Sequence, residues 1–252
     1  LVTIGDRTYH DGVDLTQQEL FQLVDRYKTL PKTAAPTVGS FAEVFQAAND
    51  DVLYIGLSSA LSATIQNAKL AQQYSEHRIE VIDSRQLSTG IGLLVLKAAD
   101  MRDQGYSLDD IAAYIKRSVG NVHTSFVINT LKYLYMGGRC SALQTFASTT
   151  LRIRPIIEVR SDGTLGVKRK IRGKRHKALD SMLDEFRSVA EKIDRARVAI
   201  THTGCDEEAV YLAEEVKRIA APKDIIITHA GCVISSHCGP GTIGLLYLTC
   251  ED

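Results

Sequence analysis

No run in this chain approaches the ~20 consecutive apolar residues that a bilayer-spanning helix needs, which excludes stable helical insertion in a membrane. There is no charge excess either. Thirty Lys and Arg face thirty Asp and Glu, leaving no global field to hold nucleic acid or an anionic surface. Cysteine is scarce and unpatterned. Cys140, Cys205, Cys232, Cys238 and Cys250 include no C-x-x-C pair, and an odd set of this kind reads as reduced thiols in a cytoplasmic protein. No signal peptide is visible. The opening LVTIGDRTYHDG lacks an initiator Met and reads as the middle of a fold, so further residues are expected upstream.

What is present suits a folded α/β protein. Apolar residues make up 44% of the 252 positions, enough core for two ordinary domains or one large one. Thr16 with Glu19 is a capping box opening a helix to about Tyr27, and Ser40 with Glu43 suggests a second. An apolar run at 52–57 predicts a strand, followed by a helix over 62–75 and the strand IEVID at 79–83. Ser107 with Asp110 caps a helix to about Arg117. This alternation argues for an open, mostly parallel, Rossmann-like sheet. After Gly120 the texture changes. RPIIEVRSDGTLGVKRKI reads as a hairpin turning at Asp162-Gly163, and a long amphipathic helix is predicted from Lys174 to Lys192. VAITHTGC and IIITHAGC then repeat one strand-end pattern around a helix at 206–219, a βαβ unit. The expected organisation is an N-terminal α/β domain, 1–118, and a smaller mixed α/β domain, 119–252, with ligand between them.

Several motifs invite chemistry. Gly90 and Gly92 lack the third glycine of a dinucleotide loop, and close helix packing is the better reading. Ser62 lacks the flanking glycines of a hydrolase elbow, although a pairing with His237 would make an ester hydrolase or acyl transferase. His202-x-x-Cys205, His229-x-x-Cys232 and His237-Cys238 resemble zinc ligands, yet the first two are copies of one strand end, so no metal is expected. The run KRKIRGKRHK, 168–177, is either a solvated hairpin edge or a patch for an acidic partner. Without interleaved aromatics it is not a nucleic-acid site. The stretch YIGLSSALSATIQNAKLA brings Ser58, Ser59, Ser62 and Thr64 to a helix start, where amides and dipole attract an anion. With no lysine or glycine cradle, that turn suits a singly charged carboxylate better than a phosphate. Thr33 and Ser62 are otherwise plain turn and cap hydroxyls.

Six motifs in order, LPKTAAP, SSALSATIQNA, VIDSRQLSTGIGLL, LKYLYMGGRCS, IRGKRHKAL and SSHCGPGTIGLL, resemble the DegV family across essentially the whole chain. The resemblance implies a two-domain α/β protein burying one long-chain fatty acid and serving bacterial phospholipid metabolism as the carrier subunit of a fatty acid kinase. Matched motif to motif, Thr33, Ser62 and His237 would hold the carboxylate, with Arg139, Ser59 and Gly90 near the head group. Arg172, Lys174 and Arg175 would face the kinase. No cofactor is implied, and a monomer is expected when free. Three departures stand out. The family's usual first strand is missing, Ala34-Ala35-Pro36 replaces Ser-Gln-Pro, and Ala63-Thr64 replaces Gly-Thr. Apolar faces after Gly90 and along LQTFASTTL are the expected tunnel walls.

Overall fold

The computed structural model describes residues 1–139 and 153–250. The strands β1 (Val2–Ile4), β2 (Arg7–Tyr9) and β3 (Lys32–Thr33) form an antiparallel sheet in the order β2-β1-β3. Gly5, at φ +58, makes the turn between the first two. Helix α1 (Gln17–Tyr27) starts on the expected capping box, the Thr16 hydroxyl accepting from the Glu19 amide and the Glu19 carboxylate from the Thr16 amide. Its Leu20 and Val24 pack on Val2, Ile4 and Tyr9.

Helix α2 (Val38–Gln46) begins earlier than the Ser40–Glu43 reading. Pro36 brings in an extended chain, and Thr37, not Ser40, is the cap, accepting from the Ser40 amide at 3.1 Å. The next strands, β4 (Val52–Gly56) and β5 (Ile79–Asp83), pair in parallel. They form a two-stranded sheet where a wider one was expected. Around them lie α3 (Thr64–Ala71), α4 (Thr89–Asp103) and α5 (Leu108–Ser118), the last capped by Ser107 through the Asp110 amide.

The remaining strands build one mixed sheet. These are β6 (Val122–Val127), β7 (Ile153–Val159), β8 (Leu165–Arg172), β9 (Ile193–His202), β10 (Asp224–His229) and β11 (Ile243–Thr249), in the order β10-β9-β11-β6-β7-β8. Only β9 and β10 run parallel, with His202 opposite His229. Helices α6 (Lys132–Gly137), α7 (His176–Ser188), α8 (Asp206–Ala220) and α9 (Cys232–Cys238) complete the described chain.

The two-residue period of a strand divides the core. Val198, Ile200 and Leu245 face α7 and α8, meeting Leu179, Phe186 and Leu212. Ala199, Leu246 and Leu248 face the other way, onto Leu93 and Leu94 of α4 and Ile115 of α5. Residues on both sides of position 119 therefore share one core. Salt bridges pin α4 to β9 at Lys97–Asp194 (3.0 Å) and Asp100–Arg197 (2.5 Å).

Candidate functional site

A cleft of about 530 Å³ opens where β3, the β4–α3 turn and α9 converge, and Thr33, Ser62, Arg139 and His237 all line it. Register sets the first of these. Thr33 ends β3 opposite Val2, and Asn67 holds the following loop by donating to the Pro36 carbonyl at 2.7 Å. Ser62 lies in a turn whose Leu61 and Ser62 amides both donate to the Ser58 carbonyl. Helix α3 starts two residues later than expected, with Ala63 at its cap. The Ser62 hydroxyl instead pairs with that of Thr64 at 2.8 Å and accepts from the Thr64 amide.

His237 is the pivot. Its Nε2 lies 2.8 Å from Thr33 Oγ1, while Nδ1 is buried with no hydrogen-bond partner among the described residues. Burial, then the nearby Arg139 guanidinium, push its pKa down to about 4, so the ring is neutral at neutral pH. An orphaned buried N–H costs more than an unfilled lone pair. The favoured tautomer therefore carries its proton on Nε2 and donates to Thr33. That leaves the Thr33 hydroxyl proton free to point into the cleft. Gly137 permits the arrangement, because a Cβ there would sit 2.5 Å from Nδ1. Sequence reading passed over Gly137; the Gly-Gly pair at 137–138 was the available signal. Arg139 donates to the Gly137 carbonyl at 2.6 Å and keeps its place on the cleft wall.

Two expected neighbours lie elsewhere. Ser59 is exposed and donates to Asp83 at 2.5 Å, because the Asp83 carboxylate at the end of β5 collects the amides and hydroxyl beside it. Gly90 is buried where α4 crosses β6, and a Cβ would lie 2.9 Å from Thr124 Oγ1. It serves packing, not the head group.

Adjoining the cleft is an apolar cavity of about 70 Å³, sharing Leu87, Leu165, Ile234 and His237 with it. Phe126, Leu134 and Leu246 contribute further apolar wall. The apolar residues after Gly90 are not its lining. Leu93 and Leu94 are consumed by the sheet core, and LQTFASTTL falls outside the described residues.

A serine-hydrolase pairing is not formed, since His237 bonds Thr33 and Ser62 bonds Thr64. A ring titrating at about 4 is also a poor base at neutral pH. Among the described residues, His202, Asp206 and His229 come together, with Asp206 Oδ1 at 4.0 and 3.5 Å from the two Nε2 atoms. They suit a metal poorly. His202 Nδ1 accepts from the Cys205 amide at 3.1 Å, so its Nε2 holds the proton and offers no lone pair. Cys232 points away, toward the Leu15 carbonyl.

The basic run divides. Arg172 and Lys174 are exposed. Arg175 departs from the docking expectation: it turns inward, and Nε and Nη2 grip Glu208 at 2.8–3.0 Å. Only 17% of its side chain is exposed. Glu208→Ala strands this charge and is expected to cost about 2 kcal/mol, given partial solvent access. Urea unfolding checks it, and a change under about 0.5 kcal/mol contradicts it.

The DegV family model, described as "Uncharacterised protein, DegV family", matches residues 1–249. This chain belongs to the DegV family. A DegV domain-containing protein of Caldanaerobacter subterraneus subsp. tengcongensis is 32% identical over 250 residues, covering 98% of this chain and 88% of the relative. A solved DegV protein from Thermus thermophilus, described by its fatty acid binding, is 32% identical with a TM-score of 0.91, covering 98% of this chain and 89% of that one. The Streptococcus pneumoniae fatty acid kinase B3 protein, loaded with linoleic acid, shares the fold at a TM-score of 0.88 and 23% identity, covering 98% and 88%. The α/β architecture of this DegV chain thus follows that of its solved relatives. No helix among the described residues is long and apolar enough to cross a membrane.

Proposed function

We propose that this chain is a non-catalytic carrier that holds one long-chain fatty acid between an N-terminal unit, 1–118, and a C-terminal unit, 119–252, and presents its carboxylate to a partner kinase for conversion to acyl phosphate. The observation that carries this reading is the Thr33–His237 bond, which leaves a hydroxyl donor facing a cleft backed by an apolar cavity. Thr33 and Ser62 donate to the carboxylate, His237 orients Thr33, and Arg139 supplies a positive charge at the edge. No cofactor takes part. The phosphoryl chemistry belongs to the kinase, and Arg172 and Lys174 offer it a basic face. Cys205, Cys232, Cys238 and Cys250 are free thiols, which supports a cytoplasmic setting.

Magnitudes assign the work to each end of the ligand. Burying roughly 15 methylenes at about 0.8 kcal/mol each stabilises the complex by on the order of 12 kcal/mol before association costs. An unpaired buried carboxylate would remove several kcal/mol of that. The tail drives binding, and the hydroxyls prevent a loss.

Native mass spectrometry of delipidated protein reloaded with palmitic or oleic acid tests the reading. One adduct per chain, and no turnover of activated esters, are expected. Failure to load, or ester turnover that disappears in Ser62→Ala, would establish a different function.

A further inference from the structure

Thr33 and His237 meet from positions 204 residues apart, so the elements that carry them must share a frame. Thr33 is placed by β3, which pairs with β1, which in turn pairs with β2. His237 lies in the last turn of α9, a helix of 7 residues. A helix that short does not hold its own shape in water. Its position is set by what grips it.

The grip comes from the loop between β2 and α1. Asp11 Oδ1 accepts from the Cys232 amide at 2.6 Å, and Oδ2 accepts from the Val233 amide at 2.9 Å. These are the first two amides of α9, which have no partner within the helix. Gly231, at the cap position, has no side chain to offer them. Asp11 therefore acts as the N-cap of α9 from far away in the chain, with a charge that suits the positive end of the helix. Two further bonds run between the same segments. Cys232 Sγ donates to the Leu15 carbonyl at 3.2 Å, and Gln17 Nε2 donates to the Ala230 carbonyl at 2.7 Å.

Gly231 is matched to this carboxylate. Its φ of −62° and ψ of 167° are open to any residue, so backbone freedom is not what glycine supplies. A Cβ there would lie 2.8 Å from Asp11 Oδ2 and 3.1 Å from Oδ1. Glycine supplies the room in which the carboxylate reaches both amides. The small N-terminal sheet thus serves both partners of the cleft bond: β3 presents Thr33, and the loop after β2 fixes the helix that presents His237.

We propose that Asp11 is a positioning residue for the head-group site: by capping α9 it sets His237 Nε2 against Thr33, and so aims the Thr33 hydroxyl into the cleft. Without the carboxylate the first turn of α9 loosens and the Thr33–His237 bond opens more often. The consequence for lipid affinity rests on the fatty-acid reading; the consequence for His237 does not.

Two measurements on the full chain test this. Proton NMR follows solvent exchange of the His237 Nε2–H, assigned by its absence from His237→Gln. Asp11→Ala is expected to exchange this proton at least about tenfold faster than wild type, the loss of roughly one charge-assisted hydrogen bond. It is also expected to bind cis-parinaric acid, a fluorescent fatty acid, roughly three- to thirtyfold more weakly, the range of a lost cap. Gly231→Ala crowds the carboxylate off the amides and should move both readouts in the same direction. Added to Asp11→Ala, it should change neither by more than about twofold, because the two changes break one contact. If Asp11→Ala does not fold, Gly231→Ala decides alone. A lower urea midpoint with His237 exchange as in wild type would make Asp11 a structural cap only and overturn the proposal. Faster exchange with unchanged probe affinity would overturn its role at the head group. A wild-type chain that binds no probe overturns the fatty-acid reading itself, while the exchange rates still decide whether Asp11 places His237.

Discussion

Thr33→Ala with Ser62→Ala is expected to cut the affinity of the delipidated protein for a long-chain fatty acid by roughly two to four decades. Hydrogen bonds to a charged group contribute about 1.5–3 kcal/mol each, and both hydroxyls lie on the cleft wall. A buried carboxylate deprived of both has only the edge charge of Arg139 and the first amides of α3 to answer it. Thr33→Ser keeps the hydroxyl, and with it the bond to His237, so it should restore most of the affinity lost in Thr33→Ala. Displacement of a fluorescent fatty acid measures each constant. A double variant within threefold of wild type would remove the two hydroxyls from the account.

Acid is expected to weaken the fold through His237. Its ordinary pKa near 6.5 is lowered to about 4 in the folded protein, chiefly by burial. Between those values the unfolded chain binds the proton and the folded one resists it. Stability therefore falls as pH drops from about 6.5 to 4, and this contribution levels off below both values. The lost stability is on the order of 3 kcal/mol by pH 4. His123 and His202 are shifted downward by burial too, so the measured quantity is the difference between wild type and His237→Gln. Gln keeps an N–H for Thr33 and cannot titrate. Urea midpoints over this range should fall more steeply for wild type. Parallel curves would mean that His237 is already charged, or already solvated, in the folded state.

Local chemistry was legible in the sequence wherever partners are close along the chain. The Thr16–Glu19 capping box, the Ser107 cap and the hairpin turning at Asp162-Gly163 all rest on contacts a few residues apart. The repeated Ile-Thr-His strand ends foretold the parallel β9–β10 pair, because one pattern implied one environment. Long-range geometry was not legible. Thr33 and His237 are 204 positions apart, and only the family resemblance placed them together. Ser59 and Arg175 misled for one reason: a hydroxyl or guanidinium in a motif does not reveal which carboxylate will claim it. Asp83 claims the first and Glu208 the second. Likewise, α4 shows an apolar face that fits a tunnel or a core, and only the position of β11 resolves which.

The central claim is that side-chain hydroxyls in this cleft hold an ionised carboxylate. Carbon-13 NMR of carboxyl-labelled palmitic acid bound to wild type and to the Thr33→Ala/Ser62→Ala variant addresses the head group itself. The account predicts one sharp bound resonance in wild type, distinct from free and vesicle-bound acid, that stays ionised below the ordinary carboxylate range and shifts or vanishes in the variant. A bound resonance that titrates like free fatty acid and is identical in both proteins would contradict it.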